Sequence, residues 1–180
     1  KDPIQAADVF QTALAHTPDH PVLLKGLLYA LKDAQQFDIA SDLLAKLPPA
    51  PDTALAAGQI AIARRQKPVA EANFVRALSH PPSSLQAFRN LVQMRWTDDG
   101  EKDAAALVQT FVNDNPDAGA FYLYGAELLT EMGQEDRALE LTERAEKKFG
   151  ENPDISTVKA KVLIEAGDGK AAFEHANKAL

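Results

Sequence analysis

The segment Gly133–Gly150, GQEDRALELTERAEKKFG, decides the fold. Ala138, Leu141, Thr142 and Ala145 recur three and four apart, and most of the other positions between Glu135 and Lys148 are charged. That spacing places one apolar stripe on a helix over about 135–148. Thirty-four residues on, Gly167 repeats Gly133, Ala172 repeats Ala138 and Ala179 repeats Ala145.

Working outward in both directions, the same frame holds Ala6, Ala40, Ala70, Ala104, Ala138 and Ala172, at spacings of 34, 30, 34, 34 and 34. Four residues after each stand Phe10, Leu44, Phe74, Val108, Thr142 and Ala176; three further on stand Ala13, Leu47, Ala77, Phe111, Ala145 and Ala179. Pro18, Pro82 and Pro116 follow five residues later, where they end a helical region. The short interval reflects a four-residue deletion after Leu47, where Pro48, Pro49 and Pro51 cut a helix early. Upstream segments align as well: Leu24, Ala54, Phe88, Tyr122 and Ser156 share one position, and Leu28, Gly58, Val92, Ala126 and Ala160 another. A small residue is required where two helices cross closely, and large ones such as Phe10, Phe74, Phe111 and Phe173 can fill space between hairpins.

These marks resemble the tetratricopeptide repeat family across essentially the whole chain. The first-helix marks are the weaker ones, since Leu24, Ala54, Phe88, Tyr122 or Ser156 stands where the family has tryptophan. The resemblance implies an all-α, right-handed α-solenoid of stacked antiparallel hairpins. It expects one solenoid over residues 1–180: a leading helix in about 1–20, then repeats at about 21–50, 51–84, 85–118, 119–152 and 153–180. Helices are expected near 3–15, 21–33, 37–47, 52–64, 68–79, 84–96, 101–114, 118–131, 135–148, 153–166 and 169–180, with Asp52, Ser84 and Asp117 as caps.

The resemblance also implies a concave wall, built from the first helix of each repeat at its second, fifth, ninth, twelfth and thirteenth positions. Mapped here, the candidate groove residues are Lys25, Tyr29, Lys32, Leu55, Gln59, Ile62, Arg89, Gln93, Trp96, Leu123, Glu127 and Lys161. The wall also includes Asp52, Thr130, Glu131, Asp154 and Glu165. Apolar side chains facing a groove suit a peptide or helix of a partner protein. Trp96 and Arg89 are the strongest anchor candidates, because such side chains dominate interface energetics. The basic and asparagine pairs with which some family members hold the C-terminal carboxylate of chaperones are not reproduced.

Composition narrows the alternatives. There is no cysteine, which excludes thiolate metal sites, disulfides and a cysteine nucleophile. No apolar run approaches the length of a membrane span. The net charge of −7 is uneven: residues 1–90 carry nine basic and eight acidic side chains, residues 91–180 ten and eighteen. Phosphate binding needs a basic surface, so nucleic acid is not expected as a partner. Gly167-Asp168-Gly169-Lys170-Ala171-Ala172 matches a dinucleotide-binding string, but a helix precedes it and Gly167 occupies the repeat's turn. His16 and His20 straddle Pro18, and Asp98-Asp99-Gly100-Glu101 lacks a calcium-loop pattern, so no metal, cofactor or catalytic residue is expected.

The expected function is a non-catalytic protein-interaction scaffold. The alternative is a structural spacer or assembly module of a larger bacterial envelope protein for secretion or polysaccharide export. It rests on a compositional likeness to alanine-rich bacterial envelope proteins, which favours a periplasmic over a cytoplasmic setting. The chain opens Lys1-Asp2-Pro3, and the expectation is of a segment from a longer parent.

Overall fold

The computed structural model describes residues 2–179, without the side chains at positions 52, 81, 82, 98, 99 and 101. The expectations placed on Asp52, Pro82, Asp98, Asp99 and Glu101 as side chains, and on Leu180, therefore lie outside the described residues. Among those residues there are eleven α-helices and no strand. They are α1 (Pro3–His16), α2 (Pro21–Asp33), α3 (Phe37–Leu44), α4 (Pro51–Ala63), α5 (Lys67–Ala77), α6 (Pro81–Asp99), α7 (Glu101–Asp114), α8 (Gly119–Glu131), α9 (Glu135–Phe149), α10 (Pro153–Glu165) and α11 (Gly169–Lys178).

The helices start and stop for local reasons. Proline occupies the first turn of α1, α2, α4 and α10, where its missing N–H leaves no bond unmade. The Asp2 carboxylate accepts from Ile4 N at 2.9 Å, the Asn152 carbonyl from Ile155 N at 3.0 Å, and the Asp168 carboxylate from Ala171 N at 3.0 Å. Four turns share one stop. Residues Gln35, Arg65, Gly133 and Gly167 all have positive φ, at 59°, 59°, 68° and 82°. The next residue's N–H then reaches five residues back: Gln36 to Leu31 O, Gln66 to Ala61 O, Gln134 to Leu129 O and Asp168 to Leu163 O, at 2.8–2.9 Å.

Two expected caps differ in the structure. Ser84 lies inside α6, which begins at Pro81. Asp117 does not cap α8, whose cap residue Ala118 makes no side-chain bond; its carboxylate instead pairs with Lys148 Nζ at 2.9 Å. Helix α3 ends at Leu44, three residues short of the sequence reading, because Lys46 N and Leu47 N turn to the carbonyls of Leu43 and Leu44 ahead of the two prolines.

The chain divides into two compact units, Lys1–Leu91 and Val92–Leu180. In the first, α1 packs on α2, α2 on α3, α3 on α4 and α4 on α5, and α2 also touches α4. Its core gathers Ala7, Leu27, Leu28, Leu31, Ala40, Ala56 and Ile60. The second unit repeats the scheme: α7 on α8, α8 on α9, α9 on α10, α10 on α11, with α8 touching α10. Register alanines Ala40, Ala70, Ala104, Ala138 and Ala172 are all buried, while Ala6 in the leading helix is half-buried. Phe111 meets Phe121 across α7 and α8 at 5.6 Å between ring centres. Phe173, expected to fill space between hairpins, is instead 68% exposed on α11. Its small equivalents Ala7 and Ala105 are buried.

Candidate functional site

The first helices of the repeats are α2, α4, α6, α8 and α10. Their buried faces hold Leu28, Leu31, Ala54, Ile60, Phe88, Tyr122, Leu129, Ser156 and Leu163. Tyr122, where the family has tryptophan, is satisfied in place: its hydroxyl donates to Pro116 O at 3.2 Å and its ring meets Phe149 edge-on at 5.5 Å. Arg144 closes over that ring at 5.5 Å and bonds Gln109 Oε1 and Asn113 Oδ1 at 3.0 and 2.7 Å.

The wall positions behave differently: none of those described is buried. In the first unit Lys25, Tyr29, Lys32, Leu55, Gln59 and Arg89 are half-buried and Ile62 is exposed. In the second, Trp96, Leu123 and Glu127 are half-buried and Gln93 and Lys161 are exposed. The periodicity explains this: Lys25, Tyr29 and Lys32 repeat the four-and-three spacing of Leu24, Leu28 and Leu31 one residue on, so they form a second stripe turned about 100° round α2 from the core stripe.

The structure brings some of these residues together. In the first unit Lys32 Nζ donates to Gln59 Oε1 at 3.2 Å, tying α2 to α4. The same ammonium sits 5.9 Å from the Tyr29 ring centre and 2.8 Å from Asp33. In the second unit Lys161 Nζ donates to Glu127 Oε1 at 3.0 Å, tying α10 to α8. Two clefts flank that tie. One, of about 340 Å³, is lined by Gly119, Ala120, Leu123, Ala145, Phe149, Asn152, Asp154 and Ile155. The other, of about 560 Å³, is lined by Glu127, Thr130, Glu131, Val158, Lys161, Val162 and Glu165. Sequence reasoning mapped Thr130, Glu131, Asp154 and Glu165 to the wall but did not select them. It had no means of finding Phe149, which reaches the cleft from α9.

Among the described residues, no group of three histidine, aspartate or glutamate side chains is arranged to hold a metal ion. No described helix is long and apolar enough to cross a membrane.

Solved structures share the fold. A tetratricopeptide repeat protein from Parabacteroides merdae superposes with a TM-score of 0.62 at 16% identity, over 98% of this chain and 71% of that one. The Cut9–Hcn1 hetero-tetramer of the APC/C matches with a TM-score of 0.50 at 17% identity, over 99% of this chain and 35% of that one. MamA MSR-1 matches with a TM-score of 0.49 at 16% identity, over 88% of this chain and 93% of that one. The fold is that of the tetratricopeptide repeat α-solenoids, which supports the resemblance read from the repeat register. No family model and no curated protein matches the sequence.

Proposed function

We propose that the chain is a non-catalytic scaffold that binds a peptide or helix of a partner protein on the wall faces of its first helices. That reading takes residues 1–180 as one repeat array, and it includes neither nucleic acid nor cofactor. The observation that carries it is the exposure of the wall. Every described wall residue of α2, α4, α6, α8 and α10 leaves side-chain surface uncovered, apolar Ile62 and aromatic Tyr29 and Trp96 included. Partly exposed apolar side chains beside fixed polar groups are what peptide recognition needs.

The test is selection of binders from a displayed random-peptide library, repeated with Tyr29→Ala, Arg89→Ala and Trp96→Ala combined. Binding is expected to be lost while the helical circular-dichroism signal stays. Unchanged binding would remove the wall from consideration. The second reading, a structural or assembly module of a larger envelope protein, draws on Phe173, an exposed apolar side chain that is not a wall position. It expects Phe173→Ser to abolish assembly with its neighbours and leave peptide binding intact.

A further inference from the structure

Resting on that reading, we infer that the face shared by α8 and α10 takes an extended, basic segment of a partner protein with an apolar anchor a few residues from its lysines or arginines. The two clefts of the second unit lie on one face. At 100° per residue, Leu123, Glu127, Thr130 and Glu131 fall within one side of α8; Asp154, Val158, Lys161, Val162 and Glu165 fall within one side of α10. The cleft near the helix starts is apolar, with Leu123, Phe149 and Ile155 on its walls. The cleft near the helix ends is acidic.

Charge decides the partner. Asp154, Glu127, Glu131 and Glu165 line the two clefts, and among the described lining residues Lys161, bonded to Glu127, is the one basic side chain. The surrounding half, residues 91–180, carries eighteen acidic against ten basic residues, and a cleft focuses that field. The floor of the acidic cleft, Val158 and Val162, is buried and offers little apolar area. Attraction there draws on the carboxylates of Glu127, Glu131 and Glu165, while Leu123 and Phe149 of the other cleft offer an apolar anchor point. Leu123 and Glu131 are eight residues apart on α8, about 12 Å along its axis, which an extended chain covers in about four residues.

The experiment uses a fluorescein-labelled peptide with one leucine followed about four residues later by two lysines, in a serine–glycine background. Its counterpart carries glutamates in place of lysines. Fluorescence anisotropy at low salt is expected to show binding of the lysine peptide only, weakened about tenfold by Glu131→Gln with Glu165→Gln and by high salt. Glu140→Gln with Glu143→Gln removes the same charge from exposed positions on α9 and is expected to change nothing. Equal weakening by both pairs of substitutions would show diffuse attraction and overturn the inference. Equal or better binding of the glutamate peptide, weakened by Leu123→Ser, would overturn the basic partner yet leave the wall as a binding face. If neither peptide binds, the inference falls, and the library selection alone decides the wider reading.

Discussion

The Phe74 ring of α5 lies directly on Gly58 of α4: a β-carbon added at Gly58 would stand 2.4 Å from Cε1 and 2.5 Å from Cδ1. Phe10 of α1 lies on Gly26 of α2 in the same way, also at 2.4 Å. The two contacts differ in freedom, since Phe74 is buried and Phe10 only half-buried. Glycine inside a helix costs about 0.5–1 kcal/mol relative to alanine, so each persists because the ring needs the space. Gly58→Ala is expected to destabilise the protein by about 2 kcal/mol, as an overpacked core does. Gly26→Ala is expected to be close to neutral, because Phe10 can swing toward solvent. Urea unfolding of both variants checks the order, and equal losses would contradict it.

Gln35 and Arg65 occupy left-handed turns that Gly133 and Gly167 occupy elsewhere. A β-carbon in that conformation costs about 1–2 kcal/mol. Replacement by glycine gives back part of the gain through a freer unfolded chain. Gln35→Gly and Arg65→Gly are each expected to stabilise by about 0.5–1 kcal/mol, adding in the double variant. Thermal denaturation reads this directly; lower melting temperatures would refute it.

Lys159 of α10 holds Glu146 of α9 at 2.7 Å, with side chains only 13% and 19% exposed. His175 Nδ1 of α11 stands 3.9 Å from the other Glu146 oxygen, and neither of those two atoms has a hydrogen-bond partner. A largely buried carboxylate that loses its cation is left uncompensated. Lys159→Met is therefore expected to cost about 2–3 kcal/mol, and Lys159→Met with Glu146→Leu less than the single change. Urea unfolding reads both variants, and a double variant less stable than Lys159→Met would refute the expectation.

Lys178 donates to Glu151 at 2.7 Å on the surface. The hydrogen bond and charge of Lys178 hold the Glu151 carboxyl below its ordinary pKa, and those of Glu151 raise the Lys178 ammonium. The signs bound the window. The glutamate's share of stability is present above its unfolded pKa and lost as pH falls through the folded one. The lysine's share is present below its unfolded pKa and lost as pH rises through the folded one. The pair therefore acts between acid and strongly alkaline pH, and weakly, because both groups are exposed and screened. A carboxyl NMR titration should place Glu151 below free glutamate and return it upward in Lys178→Gln. An unmoved midpoint would refute the pairing.

The exposure of the wall positions was legible in the sequence. Positions fixed by the alanine register separate the buried Leu28, Phe88 and Leu129 from the uncovered Tyr29, Arg89 and Glu127, because both sets follow one helical period. Caps were less legible: Asp117 has the right chemistry for a helix start, yet Lys148 from α9, the next helix but one, takes its carboxylate. The exposure of Phe173 was not legible either, since an aromatic at a packing position reads as core until its neighbours are known.

The sequence by itself determined the repeat, its 34-residue beat and the side of each helix that turns inward. Those properties follow from local periodicity and from where glycine and proline permit turns. Only the tertiary structure decided which side chains meet: the Phe74 ring on Gly58, Lys159 on Glu146, and Lys161 on Glu127 between two clefts. Such contacts depend on distances between helices, and spacing along the chain does not specify those distances.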